Sequence, residues 1–398
     1  MQITVSPGKL SGTICAAASK SVAHRMLICA SLSNKMVEIH CPETCDDIDA
    51  TVSCLNALGA KIIHNNTTFI VQPIVSAPKE AILDCRESGS TLRFLLPLAG
   101  VLGVNATFLL RGRLNKRPLS PLWEEMQRMG CKLSRQRENV ICCTGKLIPG
   151  AYFIDGSVSS QFVTGLFIAL SALPGESVLN ITGVLHSKPY VDITKAVLSI
   201  FGNNSDGTYI KGKLPFTGPD HTSVEGDWSS AAFFLAANAL GSEVRFSNLN
   251  PNSLQGDRII ADLIPLLETH QIVDVAQTPD LMPILSVLAA AKNGAIFTNI
   301  QRLRLKESDR VKSVQEMLHN MGIHTESTED TLSVSPGKFH SCTVNSYNDH
   351  RIAMAAAIAA TIATGPIEIT NAQCVNKSYP AFWRDFATLG GNYEQLEG

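Results

Sequence analysis

Hydrophobic positions recur along this chain in two alternating phrases. The first is an apolar helical stretch, then Gly, then a short apolar strand: CLNALGAKII ending near Ile63, EMQRMGCKL near Leu133, AVLSIFGNN near Asn204, QEMLHNMGIHTE near Glu326 and DFATLGGNY near Tyr393. A degenerate copy, ADLIPLLETHQIVD, carries His270 where the others have Gly59, Gly130, Gly202, Gly322 and Gly390. Glycine after the last helical turn is the usual left-handed stop, so each copy predicts helix, cap, strand. The second phrase is a polar turn that opens directly into a helix of small apolar residues, at Ser19, Ser88, Ser159, Asp227, Pro279 and Asn348. These helices are apolar enough to be surrounded by other elements. Six copies of each phrase, about 50–70 residues apart, predict a repeated supersecondary unit, and an α/β protein of two three-unit domains rather than one solenoid.

Composition narrows the picture. At 398 residues the chain is long enough for two or three domains. Hydrophobic residues at 45% and charged residues at 17% exclude disorder. Lys and Arg number 33 against 35 Asp and Glu, a net charge of -2 that gives no general reason to bind nucleic acid or an anionic membrane. Any anion binding must be local. The 11 cysteines form no CxxC pair and have no His partner at zinc-finger spacing, which points to free thiols and no metal site; the adjacent Cys142 and Cys143 fit a strand. The start MQITVSPGKLSG lacks a basic segment leading into an apolar one. The most apolar runs, Phe94–Val104 and Ile352–Ala363, are about a dozen residues long, too short to span a bilayer as helices. A soluble cytoplasmic protein is expected.

The candidate chemistry lies where the apolar helices begin. Lys20, Ser21 and Arg25 follow Ser19; Gly89, Ser90 and Arg93 follow Ser88; His350 and Arg351 follow Asn348 and Asp349; and Lys306, Glu307 and Arg310 cluster in LRLKESDRV. A helix N-terminus carries partial positive charge, so cations are misplaced there unless an anion sits between them and the free N–H groups. Taken singly, the serines read as N-caps, the arginines as solvated charges and Glu307 with Arg310 as a helical ion pair. Their joint occurrence at corresponding positions favours phosphate or carboxylate cradles. Asp280 and Glu307 are candidate proton-transfer groups, with an N-cap the plain alternative for Asp280. A nucleophile elbow, HExxH, a Walker lysine and GxGxxG after a strand are all missing. That leaves acid–base and electrostatic catalysis on small polyanions without a cofactor.

At these residues the chain resembles the 5-enolpyruvylshikimate-3-phosphate synthase family, the target of glyphosate, over essentially its whole length. The motifs are SKSVAHR at Ser19–Arg25, ESGSTLR at Glu87–Arg93, KRP at Lys116–Pro118, DGSVSSQF at Asp155–Phe162, SKPYVDIT at Ser187–Thr194, EGDWSSA at Glu225–Ala231, KESDR at Lys306–Arg310, YNDHR at Tyr347–Arg351 and the late Lys377. The resemblance implies a two-domain inside-out α/β barrel, each domain three β-α-β-α-β-β units, with the active site in the interdomain cleft. It implies a discontinuous domain of residues 1–17 plus 228–398, on the phosphoenolpyruvate side, and an inserted domain, 18–227, on the shikimate 3-phosphate side. The implied reaction moves the enolpyruvyl group of phosphoenolpyruvate to the 5-hydroxyl of shikimate 3-phosphate, in a monomer.

The resemblance also implies roles. Lys20, Ser21, Arg25, Ser159, Ser160, Gln161, Ser187 and Tyr190 would hold shikimate 3-phosphate, with Asp280 and Lys306 at its 5-hydroxyl. Lys20, Gly89, Arg117, Gln161, Arg310, Arg351 and Lys377 would hold phosphoenolpyruvate. Asp280 would take the 5-hydroxyl proton, Glu307 would serve the methylene carbon, Lys20 and Lys306 would assist, and Arg93 would be structural. The chain departs from the common family pattern at Glu87, Ser88 and Ser90 around Gly89, where many members read NAGT or NSGT, and at Arg302, where many have Asn. Two rivals fit less well. A transferase acting on a UDP-sugar would want a lysine–asparagine pair at the first cradle and a loop Cys near Arg117. A silent binding protein would not need the acids and bases present.

Overall fold

The computed structural model describes residues 1–204, 208–269 and 271–396, so the expectation at His270 lies outside the described residues. The chain forms two compact units, one of Met1–Ala17 with Gly226–Gly398 and one of Ala18–Glu225. Among the described residues the Ala18–Glu225 unit carries helices α1 (Lys20–Ser31), α2 (Asp46–Ala57), α3 (Gly89–Leu102), α4 (Leu122–Arg128), α5 (Ser160–Ala172) and α6 (Lys188–Ile200). The other unit carries α7 (Trp228–Ala239), α8 (Ile260–Leu266), α9 (Met282–Ala291), α10 (Arg310–Asn320), α11 (His350–Ala360) and α12 (Phe382–Thr388).

One construction repeats. Each odd-numbered helix is followed by a strand, at Val37–His40, Asn105–Leu109, Gly175–Thr182, Glu243–Phe246, Ala295–Thr298 and Ile367–Thr370. Each of those strands pairs in parallel with a neighbour, as Glu80–Asp84 does with Asn105–Leu109. Further strands then add antiparallel, giving four sheets of four strands, one of three and one of two among the described residues. The four-stranded unit is therefore complete four times. The odd helices are apolar nearly all round because they are buried: α5 and α11 expose almost nothing, and α9 is buried over Met282–Ala290. Each unit has its own apolar core built on these helices.

The even-numbered helices end as the pattern predicts. Gly59, Gly130, Gly202, Gly322 and Gly390 all have positive φ, from 76° to 107°. Strands follow at once after α2, α4, α10 and α12, but after α6 the strand is delayed to Tyr209–Gly212. Strand Gln271–Asp274 after α8 differs in role, since it is the first, parallel strand of the next sheet. In the first unit the N-terminal strand Gln2–Val5 runs antiparallel between Ile367–Thr370 and Tyr393–Leu396. Cys142 and Cys143 lie in strand Val140–Gly145.

Candidate active site

Asp280 follows strand Gln271–Asp274. It is not the cap of α9, which begins at Met282 with Leu281 before it, so the carboxylate is left for other partners. Arg310 Nη1 donates to Asp280 Oδ1 at 2.8 Å, Arg351 Nη2 to Asp280 Oδ2 at 3.1 Å, and Lys306 Nζ lies 3.7 Å from Oδ1. The 3-10 turn Gln301–Leu305 delivers Lys306 and Glu307 to the loop before α10. Asp309 caps that helix by accepting from Lys312 N, so Glu307 meets Arg310 from the loop rather than as a helical pair, at 2.7 Å.

Asp349 organises the rest. Its carboxylate caps α11 by accepting from Arg351 N at 3.0 Å, and also accepts from Ser308 Oγ and Arg310 Nε at 3.0 Å. Tyr347 and Asn348 just before it have φ of 53° and 56°, two consecutive left-handed residues that cost free energy and are held by bonds to Asn345 Oδ1 and Ser346 Oγ. Arg310, its side chain sealed from solvent, binds three carboxylates: Asp280, Glu307 and Asp349.

The electrostatics follow from this pairing. Burial pushes Asp280 up, but Arg351, Lys306 and Arg310 outweigh it and hold the carboxyl well below the usual range. Lys306 is pushed down to about 8 by burial, against the pull of Asp280. An ionised carboxylate thus sits beside an ammonium that titrates near neutral pH, an arrangement suited to moving a proton. Arg302 is close enough to feel Asp280, burial weakening its hold on a proton and the carboxylate strengthening it. Lys377 ends the 3-10 turn Ala372–Lys377 and is buried. Cys374 in that turn is pushed up to about 12 by burial, Asp349 adding to this and Lys377 opposing it, which places Lys377 near the same cluster.

The Ala18–Glu225 unit holds a second cluster. At the start of α3, a Cβ on Gly89 would lie 2.7 Å from both Arg117 Nη1 and Arg93 Nη1. The missing side chain is what lets two guanidiniums close on that helix start. Arg93 Nη1 donates to Gln161 Oε1 at 2.7 Å and Nη2 to Pro118 O at 3.1 Å, while Gln161 Nε2 donates to Ser90 Oγ at 3.0 Å. Arg93 thus ties α3 to Gln161 and to Pro118. Ser159 caps α5 by accepting from Gln161 N, and Ser160 is the buried first residue of that helix.

Lys20 opens α1 and pairs with Asp47 at 2.8 Å, in the first turn of α2. A hydroxyl chain ties that point to α3: Thr51 Oγ1 is 2.8 Å from His24 Nδ1 and 2.6 Å from Thr91 Oγ1, which donates to Ser88 Oγ at 2.7 Å. Burial drives His24 down to about 3, so it stays neutral. Arg25 is buried, with bonds to Ser21 O, Tyr190 O, Thr164 Oγ1 and Thr194 Oγ1 and its guanidinium 5.0 Å from the centre of the Phe94 ring. It fastens α1 to α5 and α6. Ser187, left-handed at φ 54°, stands just before α6 without a side-chain capping bond, ahead of Tyr190.

The structure therefore gathers Asp280, Lys306, Glu307, Arg310 and Arg351 in one unit, with Lys377 nearby. In the other it gathers Gly89, Arg117 and Gln161, and links Lys20 to the same helix start. Three acids went unassigned in the sequence: Asp47, Asp349 and Asp257. The need of each helix-start cation for a counter-charge was the signal that could have found the first two. Among the described residues no group of three or more His, Cys, Asp or Glu is placed to hold a metal ion.

The fold is that of the enolpyruvyl transferases. EPSP synthase from Acinetobacter baumannii superposes with a TM-score of 0.82, covering all of both chains at 22% identity. The enolpyruvyl transferase NikO from Streptomyces tendae gives 0.77 at 17% identity, covering 100% of this chain and 99% of that one. Within that class, the model of the EPSP synthase (3-phosphoshikimate 1-carboxyvinyltransferase) family matches residues 5–272 and 263–386. The chain belongs to this family. It is 39% identical to the 3-phosphoshikimate 1-carboxyvinyltransferase of Clostridium kluyveri over 99% of this chain and 98% of that protein, and 38% identical to that of Clostridium novyi over 98% and 97%.

Proposed function

We propose that the two clusters divide the family's reaction between them. The chain transfers the enolpyruvyl group of phosphoenolpyruvate to the 5-hydroxyl of shikimate 3-phosphate, releasing phosphate. Lys20, Ser21, Arg25, Ser159, Ser160, Gln161, Ser187 and Tyr190 hold shikimate 3-phosphate. Lys20, Gly89, Arg117, Gln161, Arg351 and Lys377 hold phosphoenolpyruvate, and Arg310 joins them by exchanging one of its carboxylate bonds. As the 5-oxygen attacks the enol carbon, its proton passes to Asp280 with Lys306 alongside, and Glu307, in its protonated form and released from Arg310, gives its proton to the methylene carbon. In elimination the bond to phosphate breaks and the phosphate leaves with the proton that Asp280 had taken, while Glu307 takes a methyl proton back and the double bond re-forms.

The observation that carries this reading is Asp280, ionised and held by three cations, Lys306, Arg310 and Arg351. A bound anion that draws those cations away raises the proton affinity of the carboxylate at the moment a base is needed. Phosphate release measured with both substrates, and with each alone, tests it. Release is expected only when both are present, and none with both present overturns the reading.

The finer architecture belongs to the same proposal: an inside-out barrel pair that takes up the substrates between its units, a phosphoenolpyruvate side at 1–17 plus 228–398 and a shikimate side at 18–227, acting as a cytoplasmic monomer. Small-angle scattering is expected to show contraction when both ligands bind; identical curves count against it.

A further inference from the structure

One buried acid has no part in the roles above. Asp257 lies in the 3-10 turn Gly256–Ile259 and is 2% exposed. Its Oδ2 accepts from Ser229 Oγ on α7, and its Oδ1 has no hydrogen-bond partner among the described residues. The turn is locked in place: Gln255 Oε1 accepts from Trp228 N at 3.0 Å, and Gln255 Nε2 donates to Gly226 O at 2.8 Å. A buried carboxyl oxygen left without a donor is costly, and a core of ordinary residues would not keep it. The turn packs on α7, and α7 packs on α9, which Asp280 precedes, and on α11, which Arg351 helps open; Asp280, Arg351 and Asp227 are the charged groups whose field reaches Asp257. Arg258 and Asp262, its neighbours along the chain, are exposed.

We propose that Asp257 is a positioning residue for enolpyruvyl transfer: its charge, tied to α7 where that helix packs against α9 and α11, strengthens Asp280 as a base and restrains the grip of Arg351 on an anion. The proposal rests on the roles given above to Asp280 and Arg351. Coupling between proton sites is reciprocal, so if Asp280 disfavours ionisation of Asp257, an ionised Asp257 equally favours protonation of Asp280. The same negative charge offsets part of the Arg351 field that phosphoenolpyruvate meets. Binding is weakened slightly and the chemical step helped, a division between ground state and transition state that raises turnover. Burial, with Asp280 adding to it, pushes Asp257 up to about 6 against Arg351 and the Ser229 bond, so the effect switches on as pH rises through that region.

The test is the pH profile of kcat and of KM for phosphoenolpyruvate, by phosphate release, in the full-length enzyme and in Asp257→Asn and Ser229→Ala. In the unaltered enzyme kcat is expected to rise through about pH 6. Asp257→Asn is expected to lose that limb, with kcat down about tenfold at pH 7.5 and KM lowered a few-fold. Ser229→Ala removes a bond that favours the ionised form, so it moves the limb to higher pH, and it serves even where Asp257→Asn folds poorly. An unchanged limb in both variants, or kcat falling with no change in KM or limb, overturns the proposal while the reaction reading stands. An unaltered enzyme that releases no phosphate from the two substrates overturns both.

Discussion

At the scale of single residues, each unit's cluster is a set of cations already satisfied by acids. Asp280 is held by Arg310, Arg351 and Lys306, and Lys20 by Asp47. Removing one partner therefore does two things. Asp280→Asn is expected to lower kcat about 10²-fold or more by removing the proposed base, while KM for phosphoenolpyruvate falls because three cations are released toward the ligand. Steady-state kinetics check the split, and a raised KM with unchanged kcat contradicts it. Lys20→Ala runs the other way: Asp47, only 5% exposed, is left without its ammonium and repels the substrate anions. The expected result is KM for phosphoenolpyruvate raised at least tenfold, checked in the same assay, and a normal KM excludes the role.

At the scale of elements, the helix starts were legible because capping is local. Ser88, Ser159, Asp227 and Asp349 each accept from a backbone N–H two or three residues on, and the glycine stops required only the left-handed φ they have. What was not legible depends on contacts distant in sequence. Asp47 reaches Lys20 across 27 residues and Asp349 reaches Arg310 across 39, and no local pattern marks either pair. The packing of α3 on α5 is of the same kind. A Cβ on Gly165 would lie 2.1 Å from Arg93 O, a carbonyl that no helical N–H of Pro97 can reach since proline has none. This close approach sets the distance across which Arg93 holds Gln161. Gly165→Ala is expected to force the helices apart, with a loss of about 1–3 kcal/mol in stability and a raised KM for phosphoenolpyruvate. Thermal melts and kinetics check both, and a variant with the melting temperature and KM of the parent contradicts the packing account.

At the scale of the whole molecule, a net charge of -2 conceals buried groups of opposite titration behaviour. Asp280 has its proton affinity lowered in the folded state, so its contribution to stability is present above the unfolded carboxylate pKa and lost as pH falls through the folded value. Asp257 has the reverse sign. Its pKa rises from 3.8 to about 6 in the fold, so between those values the native state binds more protons than the unfolded chain and stability declines as pH rises. The shift corresponds to about 3 kcal/mol of stability forgone above pH 6. Asp257→Asn takes that titration away. Relative to the parent, its melting temperature is expected to gain between pH 4.5 and pH 7.5, whatever fixed penalty the new amide brings at both. Differential scanning calorimetry of the ligand-free protein across that range measures the gain directly, and a melting-temperature difference that stays flat with pH removes the buried charge from the account. The charge proposed to help the reaction would then be one the fold retains at the expense of its own stability.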